Sequence, residues 1–493
     1  MFDNIKETLK HSAIYGLGNV ATKLVGFVLL PLYTAHITVE DYGILSIFEI
    51  TMTILSQVLP VGQPQSYMRF YSLDEYEDQR GSLLFTNFIF LLGLAGVFLV
   101  VSYTIIPEIS TYFKYSAEFS TFFKIAFLVV FFRTLSKLIS NHLRIKERSV
   151  LYAVSNTIKL IITLTGNIYF VAIAQIGVLG ILYAYLIGEV VFFIFLFPIL
   201  LKEMVPKFSW LITKESLKFG FPLIFTTLSG MLLNMGDRYV LKLLVNYEEV
   251  GLYNLGYKIA GVLNMLFIQA FQLGMLPMAY KMYGKDGDKR FYTKLQTYFV
   301  FILSWAGLAL ALFSKELLHL LALNPDYWAA YTVVPIIILG YILSGAKYNA
   351  SMLLYLTKKT QYTAYLTFSG AVLNIGLNFL LIPDLKMIGA GVATVISFLY
   401  LFIASYLVGK KYYPVKYEVK KLIYSIGLAI LFFLIADNLQ HFGVIITLII
   451  KFILVGVYPF ILYWFGFYES QELKRIKSAV KKLKQGDISS IIK

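Results

Sequence analysis

The chain has 493 residues, 58% of them hydrophobic and only 14% charged, with a formal net charge of +15. Soluble domains carry nearer 45–50% apolar and about 25% charged residues, so a soluble globular class is excluded. The chain has no cysteine, which excludes disulfides, thiolate metal sites, iron–sulfur clusters and cysteine nucleophiles.

Apolar runs of about 20 residues, separated by short polar loops, predict membrane helices. A β-barrel would instead show alternating segments of roughly 10 residues. The first hydrophobic segment reads as a span and not as a secretory signal. The expectation is an all-α polytopic membrane protein with about fourteen spans. Six lie near 11–35, 42–63, 83–106, 118–141, 149–173 and 177–201. Six more lie near 219–244, 250–280, 293–314, 328–356, 361–383 and 388–409, and two near 420–437 and 442–466. An amphipathic piece, Phe208–Lys218, is predicted to lie along the interface before the seventh span. The tail from Glu469 is polar and lysine-rich.

Alternate loops concentrate Lys and Arg: Arg69 and Arg80; Arg144, Lys146 and Arg148; Lys281 to Lys294; Lys358 and Lys359; Lys410 to Lys421. The positive-inside rule makes these loops and both termini cytoplasmic, which accounts for most of the net charge without nucleic acid. The opposite loops, such as His36–Asp41 and Asn246–Glu249, do little more than turn the chain, so no outer domain houses a catalytic site.

The chain repeats itself. Leu9-Lys10 and Leu217-Lys218 precede spans one and seven, and Tyr42-Gly43 matches Val250-Gly251, where 251 − 43 is 208. Leu143–Ser149 parallels Leu354–Thr360, and Asn167 falls opposite Asn378. Ile176-Gly177 matches Ile388-Gly389. A duplicated unit of six spans, an even number, gives parallel repeats: two six-helix bundles around a central cavity, plus two extra C-terminal helices. The expected domains are 1–206, 207–412, 413–466 and a basic tail, 467–493.

Ionisable residues inside spans are costly and mark function or pairing. The first half carries Lys23, Glu49, Arg133, Lys137, Lys159 and Glu189; the second carries Asp237, Arg238, Lys242, Lys258 and Lys347, with Lys451 in the last span. Lys137 and Lys242 sit near span ends, within snorkelling reach of the surface. Cations outnumber anions, so the cavity should attract anions, and phosphate suits both arginine and lysine. The expected binding set is Lys23, Arg133, Lys159, Arg238 and Lys258. Glu49, Glu189 and Asp237 are left for ion coupling or pairing. Asp237 points away from the Arg238–Lys242 face, toward Lys258 or another helix. The histidines show no metal-ligand spacing, and no phosphate-binding glycine loop is present. No cofactor or metal is expected. Any driving energy comes from an H+, Na+ or substrate gradient.

The stretch Leu9–Glu49 with its Asp41-Tyr42-Gly43 turn, together with Gly236-Asp237-Arg238-Tyr239-Val240 and Gly251-Leu252-Tyr253, resembles a known family. It is the polysaccharide transport branch of the multidrug/oligosaccharidyl-lipid/polysaccharide flippase superfamily, and the resemblance covers essentially the whole chain. It implies two bundles around a cationic cavity in a bacterial plasma (inner) membrane. It also implies transport, without catalysis, of undecaprenyl-diphosphate-linked oligosaccharide for O-antigen, capsule or similar glycans. The implied partners are that polyprenyl-diphosphate-linked oligosaccharide, membrane lipids and other glycan-assembly membrane proteins. By analogy with lipid II flippases, spans 13 and 14 would hold the lipid tail. A drug or cation exporter of the same superfamily is the alternative. A membrane glycan polymerase would need a large outer loop.

Overall fold

The computed structural model of the protein describes residues 26–112, 117–439 and 443–470, and all their regular structure is helical. The elements are α1 (Leu30–His36), α2 (Val39–Val58), α3 (Gln63–Tyr71), α4 (Arg80–Tyr112), α5 (Ala117–Ile145), α6 (Ser149–Asn167), α7 (Gly177–Glu203) and α8 (Trp210–Leu244). They continue with α9 (Tyr247–Leu263), α10 (Gln269–Met282), α11 (Asp288–Leu312), α12 (Ser314–Leu321), α13 (Val334–Leu356), α14 (Thr360–Tyr412), α15 (Val419–Asn438) and α16 (Val444–Trp464).

Local chemistry explains the boundaries. Thr38 caps α2 by accepting from the Asp41 amide at 3.1 Å, and Glu40 and Asp41 complement the helix dipole. Ser209 likewise starts α8, accepting from the Ile212 amide at 3.4 Å. That cap corrects one expectation. Phe208–Lys218 is not a separate interfacial piece: from Trp210 it forms the first turns of a continuous 35-residue helix. No Gly or Pro interrupts residues 210–219, and Ile212, Thr213 and Ser216 are buried. π-helical turns extend α6 (Ile168–Ile173) and join α9 to α10 (Asn264–Ile268).

Among the described residues ten helices are long and apolar enough to cross a membrane, or eleven if α2 and α3, bent by 42°, form one span. The protein is a multi-pass membrane protein. Three features separate this count from the expected fourteen. Helix α14 runs 53 residues but breaks at Lys386, whose φ is 48°. Charged α5 is not among the ten, and most of the first span lies outside the described residues.

By contact the chain forms two compact units. The first comprises the described residues up to Lys258, with Leu317–Val333 and Ala364–Ser397; the second comprises Ile259–Glu316, Val334–Thr363 and the described residues from Phe398. The first unit has an apolar core that includes Tyr67, Leu83, Leu138 and Phe192. Two clusters hold the second, one around Met275, Tyr292 and Leu353, the other around Leu308, Phe432 and Tyr458. In the second unit Lys451 is paired, its Nζ 2.5 Å from Glu316 Oε1.

The repeat is visible in the backbone. Glu147 and Lys358 are both left-handed, as are Gln175 and Lys386, and each pair is 211 residues apart (358 − 147; 386 − 175). The same turn closes both copies: the Arg148 amide donates to Leu143 O at 2.9 Å and the Lys359 amide to Leu354 O at 2.8 Å. Within the first unit, repeat mates meet one another. A Cβ on Gly43 would stand 1.8 Å from Tyr247 O, and one on Gly251 would stand 2.3 Å from Val39 O. The Asn254 amide group donates to Ser46 Oγ at 2.7 Å, and 254 − 46 is again 208. Such reciprocal contacts are what a two-fold relation between α2 and α9 demands.

Candidate functional site

The first unit contains a cavity of 390 Å³. Its lining includes Tyr33 from α1, Glu49 from α2, Arg133 from α5, Asn156, Lys159 and Thr163 from α6, Tyr185 and Glu189 from α7, and Lys258 from α9. Five of the eight residues predicted for binding or coupling are therefore brought together.

Glu189 is its anchor. The carboxylate is 2% exposed, and its Oε1 alone accepts from Arg133 Nε at 2.9 Å and from Lys159 Nζ at 2.7 Å. The two cations are 31% and 28% exposed, so each is half paired and half presented to open space. Arg133 spends its Nε on Glu189, and its two terminal nitrogens have no partner among the described residues. A guanidinium so oriented retains the planar fork that matches phosphate oxygens. Lys159 also lies over the Phe192 ring, 5.2 Å from its centroid, which limits where its ammonium can swing.

Phenols form the other side. Tyr185 donates to Glu49 Oε1 at 2.5 Å, and Tyr33 donates to Asn167 Oδ1 at 2.8 Å. The Lys258 ammonium stands 5.1 Å from the Tyr42 ring centroid and 6.0 Å from that of Tyr33. No carboxylate lies within ion-pair distance of it among the described residues. With three cations against two carboxylates, the cavity keeps a positive excess.

Arg238 is held elsewhere. Its Nη1 donates to Asp237 Oδ1 at 2.7 Å and to Asn234 O at 2.6 Å, and its guanidinium packs 3.8 Å from the Tyr257 ring centroid and 4.9 Å from that of Tyr253. Tyr253 donates to Asp237 Oδ2 at 2.6 Å. Both ionic side chains are sealed, at 5% and 0% exposure, and neither lines the cavity. Asp237 therefore forms its ion pair with its own chain neighbour and not with Lys258, while its other oxygen accepts from two other helices, through Tyr253 of α9 and Thr394 of α14. Consecutive helical side chains point about 100° apart, but the arginine is long enough to fold back along the axis.

Lys23 lies outside the described residues. Lys137 donates to Ser56 O at 3.2 Å and to the Gln57 side-chain oxygen, consistent with its span-end position. Tyr33, Tyr185, Asn156 and Thr163 were not anticipated. Polar residues inside apolar runs are the available signal, and it is diluted by the chain's 37 tyrosines.

The polysaccharide biosynthesis protein family matches residues 8–283, and a second family, MatE, matches residues 222–380. A protein of the Lsg locus of Haemophilus influenzae is 24% identical over 285 residues, and an uncharacterized membrane protein of the same organism is 25% identical over 280. These alignments span 56% and 55% of this chain but only 66% and 65% of the relatives' lengths. Among solved structures, the inward closed conformation of the lipid II flippase MurJ superposes with a TM-score of 0.74 at 14% identity, covering 92% of this chain and all of that one. An inward-facing multidrug resistance MATE family transporter of the MOP superfamily gives 0.65 at 16% identity, covering 79% and 94%. The fold is thus one shared by flippases and exporters, which carry cargo without transforming it. With more than half its length matched, the chain belongs to the polysaccharide biosynthesis protein family.

Proposed function

We propose that this protein flips a polyprenyl-diphosphate-linked oligosaccharide, the unit of an O-antigen, capsule or similar surface glycan, from the cytoplasmic to the outer leaflet of a bacterial plasma membrane. The observation that carries the reading is the pair Arg133 and Lys159, fixed on one oxygen of Glu189 with donors left over toward a cavity. A diphosphate supplies the oxygens those donors lack, and Lys258 adds a third cation. The tyrosines offer faces and hydroxyls to sugar, while the prenyl tail stays in lipid. Alternating access between two bundles, 1–206 and 207–412, moves the head group. The spans at 413–466 and the basic tail lie outside the repeat, and both termini lie on the lysine- and arginine-rich cytoplasmic side. Lys23 belongs to the same proposed set by sequence. Arg238, closed off by Asp237, serves structure in this reading.

The test is surface glycan in a deletion strain carrying Arg133→Gln or Lys159→Gln. Losing a charged hydrogen-bond partner worth about 1.5–3 kcal/mol should lower glycan export roughly tenfold or more, at normal membrane levels of protein. Full complementation by both variants would refute the clamp. Altered drug sensitivity with intact glycan would move the reading to the exporter alternative, with half-buried Glu49 as the cavity's remaining carboxylate.

A further inference from the structure

Two helices of the second unit show opposite chemistry on their open faces. Helix α16 exposes Val444, Ile445, Ile449, Phe452, Ile453 and Phe460, a surface made for hydrocarbon. Helix α13 exposes no large apolar side chain, and it is the least apolar of the ten membrane-length helices. From its midpoint onward its half-buried positions are Tyr341, Ser344, Lys347, Tyr348 and Tyr355. Their spacing of three, four and seven makes one continuous stripe. Tyr280 of α10 lies close enough to Tyr348 and Tyr355 to interact with both. The opposite face of α13 is packed: Gly345 abuts Leu303 and Phe299, the Ala346 carbonyl accepts from Gln296, and Leu353 abuts Gly409.

Lys347 decides what the stripe faces. It has no hydrogen bond or ion pair among the described residues. An ammonium in the middle of a span cannot face lipid cheaply, so its open side is water or an anion. Phenol and hydroxyl groups on both sides of it suit sugar, which is bound by aromatic faces and hydrogen bonds.

We propose that the Tyr341–Tyr355 stripe of α13 is a second head-group surface, with Lys347 contacting phosphate and Ser344, Tyr348 and Tyr355 contacting sugar. The assignment of its ligand rests on the flippase reading; its hydration does not. The cysteine-free chain makes the test direct. Lys347→Cys, Ser344→Cys and Phe452→Cys each carry a single thiol, and their rates of modification in membrane vesicles by sulfonatoethyl and trimethylammonioethyl methanethiosulfonate are compared. Lys347→Cys and Ser344→Cys should react at least tenfold faster than lipid-facing Phe452→Cys; equal rates overturn the proposal. At Ser344→Cys the anionic reagent should win, and adding Lys347→Gln should erase that preference. A preference for the cationic reagent overturns the role given to Lys347.

Surface glycan then separates the two readings. Lys347→Gln with Tyr348→Ala should cut export severalfold at normal protein levels. If export is unchanged while Arg133→Gln abolishes it, the stripe proposal falls and the flippase reading stands. If neither variant affects export, the flippase reading falls, and the reagent rates alone decide whether the stripe is a hydrated, anion-attracting surface.

Discussion

Glu189 and Asp237 each grip a neighbouring cation, yet the two sites are built for different ends. At Glu189 the carboxylate is buried while Arg133 and Lys159 remain about a third exposed. At Asp237 everything is sealed: both carboxylate oxygens are taken, and the guanidinium lies against two tyrosine rings. An ion pair in a membrane helix is therefore not by itself a binding site. What distinguishes the two is whether the cation keeps unsatisfied donors on an accessible side.

The comparison breaks most sharply at Asp237. Asp237→Ala strands a buried arginine and should cost about 3–5 kcal/mol, seen as loss of membrane-inserted protein or a lowered melting temperature in detergent. Asp237→Leu combined with Arg238→Met should recover most of that stability, because an apolar pair of similar volume removes the stranded charge. If Arg238→Met instead leaves stability intact and abolishes glycan export, Arg238 belongs with the binding groups and the contrast with Glu189 fails.

A smaller effect is expected where the two repeats cross. Gly43→Ala drives a methyl group into the Tyr247 carbonyl, which is backbone and cannot rotate away. The cost should be about 1–3 kcal/mol, with Gly251→Ala similar and Gly274→Ala, which meets no atom within 4 Å, a mild control. Equal melting temperatures for all three would disprove the close crossing.

The smallest effect lies outside the spans, in the second unit. Burial acts to raise the Glu418 carboxyl, but hydrogen bonds from Lys294, Lys421 and Thr297 outweigh it and hold the group below its usual range. Glu469 is held down chiefly by Lys294, with Arg290 adding to it. Both groups thus add stability above their ordinary value of 4.5 and lose it as pH falls through the lowered folded values. As pH falls below 4.5, melting temperature should drop by less in Glu418→Gln than in the parent; parallel curves would contradict the assignment.

Much of the architecture was readable because it is written in local signals. Apolar run length announces a span, and the turn that makes Glu147 and Lys358 left-handed recurs with the loop residues around it. Charge placement was legible too: five of eight predicted residues line one cavity. Partnership was not. Arg133, Lys159 and Glu189 stand on three helices, 56 and 30 residues from the shared carboxylate, and no single sequence reveals which helix faces align. The adjacent Asp237 and Arg238 misled for the opposite reason, since neighbours in a helix normally diverge. The boundary of α8 was obscured by lysines at 214 and 218, which suggest an interface where the cap at Ser209 starts a continuous helix.

Glu189 leaves its second oxygen without a partner while the first serves both cations. In the proposed carrier, which must reset without cargo, this would make the carboxylate a resident counter-ion. Two bare cations would oppose the empty return through a region of low dielectric, and Glu189 would neutralise part of that charge on every unloaded cycle. A diphosphate arriving under that proposal would compete for the same donors, and the displaced carboxylate would stand ready to reclaim Arg133 and Lys159 on release.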